Sequence, residues 1–125
     1  MTSAAAKALA GRCEIDRTRE QLLGRGGGYE AVHVSDGLEI GVYVLVAPEP
    51  DRQQPHEDDE VYVVLEGRGT LEIEGAPVPL TEGQAVFVPA GADHGFIGYE
   101  QLSVLVIFAR RRQTPTGGGP KDAPV

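Results

Sequence analysis

The feature that most constrains this chain is a series of short apolar runs, each closed by glycine or proline. Six runs rich in β-branched and aromatic residues fit strands, at residues 29–35, 38–46, 60–66, 70–74, 84–88 and 102–109. A shorter strand is expected near Val78 and Leu80. Asp36-Gly37 and Gly67-Arg68-Gly69 suit the positive φ angles of tight reversals. Because no convincing amphipathic helix separates these runs, the sequence predicts an all-β antiparallel sandwich or barrel.

The length of 125 residues is that of one domain with short extensions. Residues 1–28 are predicted to be an N-terminal arm, within which residues 14–23 form either a short helix or a segment packed on a partner. Residues 29–112 are predicted to form the β-barrel. Residues 113–125 are rich in glycine and proline and carry hardly any large apolar side chain, so we predict a disordered tail.

Charge and composition exclude several classes of partner. A net charge of −8 argues against nucleic acid, because phosphate binding requires a basic face. No apolar run approaches the roughly 20 residues that span a bilayer, so no membrane partner is expected. Cys13 is the single cysteine, which forbids an internal disulfide and agrees with a cytoplasmic protein.

Two histidines lie beside turns and near a carboxylate. Residues two apart in an extended chain share a face, so Gln54, His56 and Glu60 are expected to point the same way. His94 follows a proline–glycine turn that re-enters a strand, and a barrel brings such strand ends together. Two imidazoles and one carboxylate suit a single divalent ion such as iron, zinc, manganese, nickel or copper.

The spacing of these residues resembles that of a known family. Gln54-Pro55-His56, three residues, Glu60, six residues and Gly67 match the second half of the first cupin motif, which reads Gly, five residues, His-X-His, three or four residues, Glu, six residues, Gly. Gly83, five residues, Pro89-Ala90-Gly91, two residues and His94 match the second motif up to its last position. The chain therefore resembles the cupin superfamily, in its small single-domain bacterial form. The resemblance covers residues 38–109 and implies an antiparallel double-stranded β-helix, or jelly-roll barrel.

The departures from the motifs concern three positions. Pro48 stands for the opening glycine, Gln54 for the first histidine and Gly98 for the closing asparagine. Cupin-like phosphomannose isomerases also hold zinc with a Gln-X-His pair. The resemblance therefore implies Gln54 as a fourth ligand beside His56, Glu60 and His94, with Gln53 as the substitute if Pro55 bends the segment.

The resemblance implies a metal-dependent enzyme that acts on a small organic molecule, either dioxygenase-like or isomerase-like. Tyr62 is the candidate for proton transfer, and Tyr62 and Phe96 share parity with Glu60 and His94, so both are predicted pocket walls or core residues. The alternatives are a non-catalytic cupin that binds a small ligand and a degenerate barrel without metal. Because cupins pair through N-terminal strands, residues 12–23 are expected to support a homodimer.

Overall fold

The computed structural model describes residues 10–110, which form one helix and eight strands. The elements in chain order are α1 (Ile15–Gly24), β1 (Gly28–Val34), β2 (Leu38–Val46), β3 (Asp59–Gly67), β4 (Gly69–Ile73), β5 (Ala76–Leu80), β6 (Ala85–Val88), β7 (His94–Ile97) and β8 (Gln101–Ala109). The predicted tail at residues 113–125 and the first nine residues of the predicted arm lie outside the described part.

The strands form two antiparallel sheets. The larger has five strands in the order β1-β2-β8-β3-β6, and the smaller has three in the order β5-β4-β7. Both neighbours of the central strand β8 pair with it over nearly its whole length. The all-β antiparallel prediction is confirmed.

The core lies between the two sheets, where alternate residues of each strand point inward. On β3, Glu60, Tyr62 and Val64 are only 1–2% exposed. Tyr62 and Val64 belong to one apolar cluster with Leu71 of β4 and Phe96 of β7 from the opposite sheet. The period of two along β3 thus places a carboxylate inside the barrel.

Helix α1 packs on the outer face of the larger sheet. Leu22 is 1% exposed and contacts Val42 and Val44, which alternate outward from β2. Gly27 allows the chain to turn from the helix into β1 because its φ is +112° and an added Cβ would lie 2.8 Å from the Val44 carbonyl oxygen. For residues 14–23 the sequence allows a short helix or a segment packed on a partner. The structure has the helix, and it packs on the larger sheet of the same chain.

The described residues contain no helix with the length and apolar character needed to cross a membrane.

Candidate functional site

The centre of the site is a contact between a carboxylate and an imidazole from opposite sheets. Glu60 near the start of β3 and His94 at the start of β7 approach to 3.2 Å, measured from Oε1 to Nε2, and each side chain is 1% exposed. The fold therefore joins two of the residues that the motifs single out, although 34 positions of sequence separate them.

The hydrogen bonds of His94 fix the direction of its ring. Nδ1 donates to the Ala92 carbonyl oxygen at 2.8 Å, which leaves Nε2 directed at Glu60 and at the Tyr62 hydroxyl, 3.0 Å away. Burial alone lowers the pKa of His94, but the hydrogen bond to Glu60, the Ala92 carbonyl and the Glu60 charge outweigh it, so the pKa is raised above its ordinary value. A buried carboxylate and a histidine that favours positive charge stabilise each other.

The second carboxylate oxygen of Glu60 is left over from this pairing. Within residues 10–110, Oε2 of Glu60 is buried and has no hydrogen-bond partner. A buried oxygen of this kind costs free energy unless a cation or donor satisfies it. An unpaired carboxylate oxygen beside an imidazole Nε2, whose Nδ1 is held by a backbone carbonyl, offers two ligands of the kinds that divalent metals take. These residues fit a metal ion.

His56 lies next to the pair without joining it. Its ring centroid is 6.1 Å from that of His94 and 4.9 Å from that of Phe108, which it meets edge to face. Two imidazoles on one tetrahedral ion have centroids roughly 5.3 Å apart, given metal–nitrogen bonds of about 2.1 Å. The His56–His94 separation is wider than this, so His56 would have to move toward His94 by about 1 Å to share an ion with it. No three His, Cys, Asp or Glu side chains in the described part of the chain already stand as a ready-made metal cluster.

The two adjacent glutamines point in different directions. Gln54, the predicted fourth ligand, is exposed, whereas Gln53 is half-buried and lines the cavity. The Gln53 carbonyl oxygen accepts a hydrogen bond of 2.7 Å from the Tyr62 hydroxyl. Residues 54, 56 and 60 were expected to share a face, but residues 50–56 form no strand. Side chains therefore do not alternate between two faces in this segment. The glutamine that faces the site is Gln53.

Tyr62 and Phe96 are each expected to be either a pocket wall or a core residue, and the structure separates their positions. Tyr62 lines the cavity, whereas Phe96 is 2% exposed and packs edge to face behind Tyr62 at 4.9 Å, away from the cavity surface. Burial, with the Glu60 charge, raises the pKa of Tyr62 far above its ordinary value. The phenol therefore keeps its proton at neutral pH and serves as a hydrogen-bond donor.

A cavity of about 500 Å³ opens beside these residues, a volume suited to a small organic molecule. Its lining mixes aromatic, polar and charged side chains: Tyr29, Glu39, Tyr43, Arg52, Gln53, His56, Asp58, Tyr62, Val106, Phe108 and Arg110. At its rim, Glu39 pairs with Arg110 at 3.1 Å and accepts a hydrogen bond of 2.7 Å from the Tyr29 hydroxyl.

Sequence reasoning missed the inward residues of β2 and the carboxylate of Asp51. Glu39 and Tyr43 share parity on β2, opposite to the apolar residues that face α1, and this alternation was a usable signal. Asp51 gave no such signal, because it lies in a loop and its partners are distant in sequence.

Comparison with known proteins agrees with this architecture. A family model described as a cupin domain matches residues 42–108. The chain is 33% identical over 96 residues to an uncharacterised protein of Streptomyces coelicolor, covering 76% of this chain and 91% of that protein. It is also 37% identical over 59 residues to the dimethylsulfoniopropionate lyase DddW of Ruegeria pomeroyi, covering 46% of this chain and 39% of that protein.

Among solved structures, the chain is similar to an RmlC-like cupin family protein with a double-stranded β-helix fold from Methanocaldococcus jannaschii. The TM-score is 0.66 at 20% identity, over 82% of this chain and 92% of that one. The likeness confirms the predicted double-stranded β-helix.

Proposed function

Because the chain belongs to the cupin family, whose members commonly bind metal, we propose that it holds one divalent transition-metal ion at Glu60 and His94 and acts there on a small organic molecule. The observation that carries this proposal is the buried Glu60 carboxylate, which has one oxygen 3.2 Å from His94 Nε2 and the other without a partner in the described residues. The family relationship adds that some similar proteins, such as the lyase DddW, are enzymes.

Glu60 and His94 are the proposed primary ligands, and His56 and Gln53 complete the set. His56 would add a second imidazole after moving toward His94, and Gln53 would add an amide oxygen. This set of nitrogen and oxygen donors suits iron, zinc, manganese, nickel or copper. These residues would hold an ion that supplies either Lewis-acid polarisation of a substrate carbonyl or oxygen chemistry.

The residues around the proposed ligands give the cavity its chemical character. The Tyr62 hydroxyl keeps its proton and donates a hydrogen bond to Gln53 at 2.7 Å, and its raised pKa makes it a weak acid, so its proposed part is to position a polar substrate group and not to supply a proton. His56 and Phe108 form a tilted aromatic wall on the cavity, and Val106 adds an apolar surface. Together they would hold a small, partly apolar molecule in the cavity next to Tyr62 and His56, whereas Glu60 and His94 lie behind these residues and do not line the cavity. Dioxygenase-like and isomerase-like reactions both fit this arrangement.

Elemental analysis of protein purified without added metal, followed by calorimetric titration of chelator-treated protein, tests the proposal. We expect close to one ion per chain, lost in His94→Ala and retained in His33→Ala, because His33 lies on β1 and contacts only Ser35 through its side chain among the hydrogen bonds of the described residues. Bound iron directs the search to oxygen uptake, and zinc or manganese to isomerisation. Absence of binding for all five metals would overturn the proposal.

A cupin that binds a small ligand without metal is the second candidate. One observation favours it: Gln53, Tyr62, His94 and Glu60 already contact one another in a chain of polar groups. If that chain is the functional state, a ligand binds in the cavity with the same affinity before and after chelator treatment.

A further inference from the structure

We propose that Asp51 is a positioning residue that holds the Gln53 amide so that its carbonyl oxygen faces the interior of the site. The Gln53 oxygen is a proposed metal ligand in place of Gln54, and the effect of Asp51 on metal binding therefore rests on the proposed function. The orientation of the amide is a property of the chain itself and is testable without metal.

Asp51 accepts four hydrogen bonds from three parts of the barrel. Its Oδ1 accepts from the Tyr43 hydroxyl at 2.6 Å and from the Gln53 backbone N–H at 3.2 Å, and its Oδ2 accepts from Gln53 Nε2 at 2.6 Å and from the Phe96 backbone N–H at 2.8 Å. A carboxylate has about four acceptor positions, so this one is saturated. Asp51 therefore ties its loop to β2 and β7 with its charge fully hydrogen-bonded.

The carboxylate of Asp51 determines which end of the Gln53 amide faces inward. An ionised carboxylate only accepts hydrogen bonds, so the amide must present its NH₂ group to Asp51 and its oxygen to the other side. On that other side the Tyr62 hydroxyl lies 2.7 Å from Oε1 and also 3.0 Å from His94 Nε2. The Gln53 oxygen is thus separated from His94 by one hydroxyl group. A reversed amide would direct two N–H donors at the same place and would repel a cation.

Asp51→Asn tests this orientation because it changes the acceptor into a group that also donates. An asparagine NH₂ in place of Oδ2 favours a reversed Gln53 amide, with NH₂ toward Tyr62, and an NH₂ in place of Oδ1 opposes the Gln53 backbone N–H, so either orientation displaces Gln53. We expect metal affinity to fall about 10- to 100-fold, as it does when residues behind metal ligands are changed. Adding Gln53→Glu to Asp51→Asn should restore most of the affinity, because a carboxylate presents oxygen at both ends. The matched controls are Asp16→Asn on the exposed face of α1 and Gln54→Glu, both of which should keep the wild-type affinity.

Urea unfolding of the same variants in chelator separates orientation from metal binding. We expect Asp51→Asn and Gln53→Glu each to lower the unfolding midpoint, and the double variant to lie closer to wild type than either single change. If the wild-type protein binds no metal, the proposed function fails, and this cycle still decides the orientation. Additive losses would overturn the inference. A second result would also overturn it: Asp51→Asn is less stable than the wild type but binds metal equally well. Asp51 would then only anchor its loop.

Discussion

Replacing His94 with alanine removes the imidazole that faces the buried Glu60 carboxylate. An exposed ion pair contributes at most about 1 kcal/mol, but both side chains here are 1% exposed, so the value for a buried pair applies. Removing one partner of such a pair costs about 3–5 kcal/mol, because the other charge stays buried without compensation. At roughly 5 °C per kcal/mol for a domain of about 100 residues, the melting temperature should fall by roughly 15–25 °C.

The assay is urea unfolding of metal-free protein, which measures this cost without the contribution of a ligand. His33→Ala is the matched control, and a half-exposed histidine with one side-chain hydrogen bond should cost less than about 1 kcal/mol. Adding Glu60→Gln to His94→Ala neutralises the stranded carboxylate and should recover about 1–3 kcal/mol. A His94→Ala cost similar to that of His33→Ala, or no recovery in the double variant, would show that the buried pair is not charged as we argue.

Three further predictions follow from the same geometry. Tyr62→Phe should lower the free energy of unfolding in urea by about 1–2 kcal/mol, because the Gln53 oxygen loses its hydrogen-bond donor. The control is Tyr99→Phe, which removes an exposed hydrogen bond and should lower it less. A divalent metal at about 1,000 times its dissociation constant should stabilise the wild type by about 4 kcal/mol in a thermal scan, and equal stabilisation of His94→Ala would speak against the site. We also expect a homodimer, since β1 and β6 leave the larger sheet with two edges, and light scattering at micromolar concentration would disprove it by returning the monomer mass.

Local pattern was sufficient to predict most of the strands. Residues 38–46 were predicted as a strand, and β2 has the same limits, because an alternating run closed by proline has few other conformations. The inward direction of Glu60 followed from the buried side chains that share its parity on β3. In both cases the determining information lies within a few neighbouring residues.

The parts of the site that could not be predicted depend on contacts between distant segments. Asp51 binds the Phe96 backbone, 45 positions away, and no local pattern encodes that contact. The sequence left the choice between Gln53 and Gln54 open for a related reason. Odd or even position predicts which face a side chain occupies only along a regular strand. The loop around Pro55 is instead held by Asp51 and by the backbone hydrogen bond from Gly91 to His56.

Anomalous X-ray diffraction from crystals soaked in a divalent metal tests the central claim most directly. We expect one ion inside the barrel, within about 2.0–2.2 Å of His94 Nε2 and of a Glu60 carboxylate oxygen, with the Gln53 oxygen turned toward it. Crystals that bind metal only on the surface, with Glu60 and His94 still in direct contact, would contradict it.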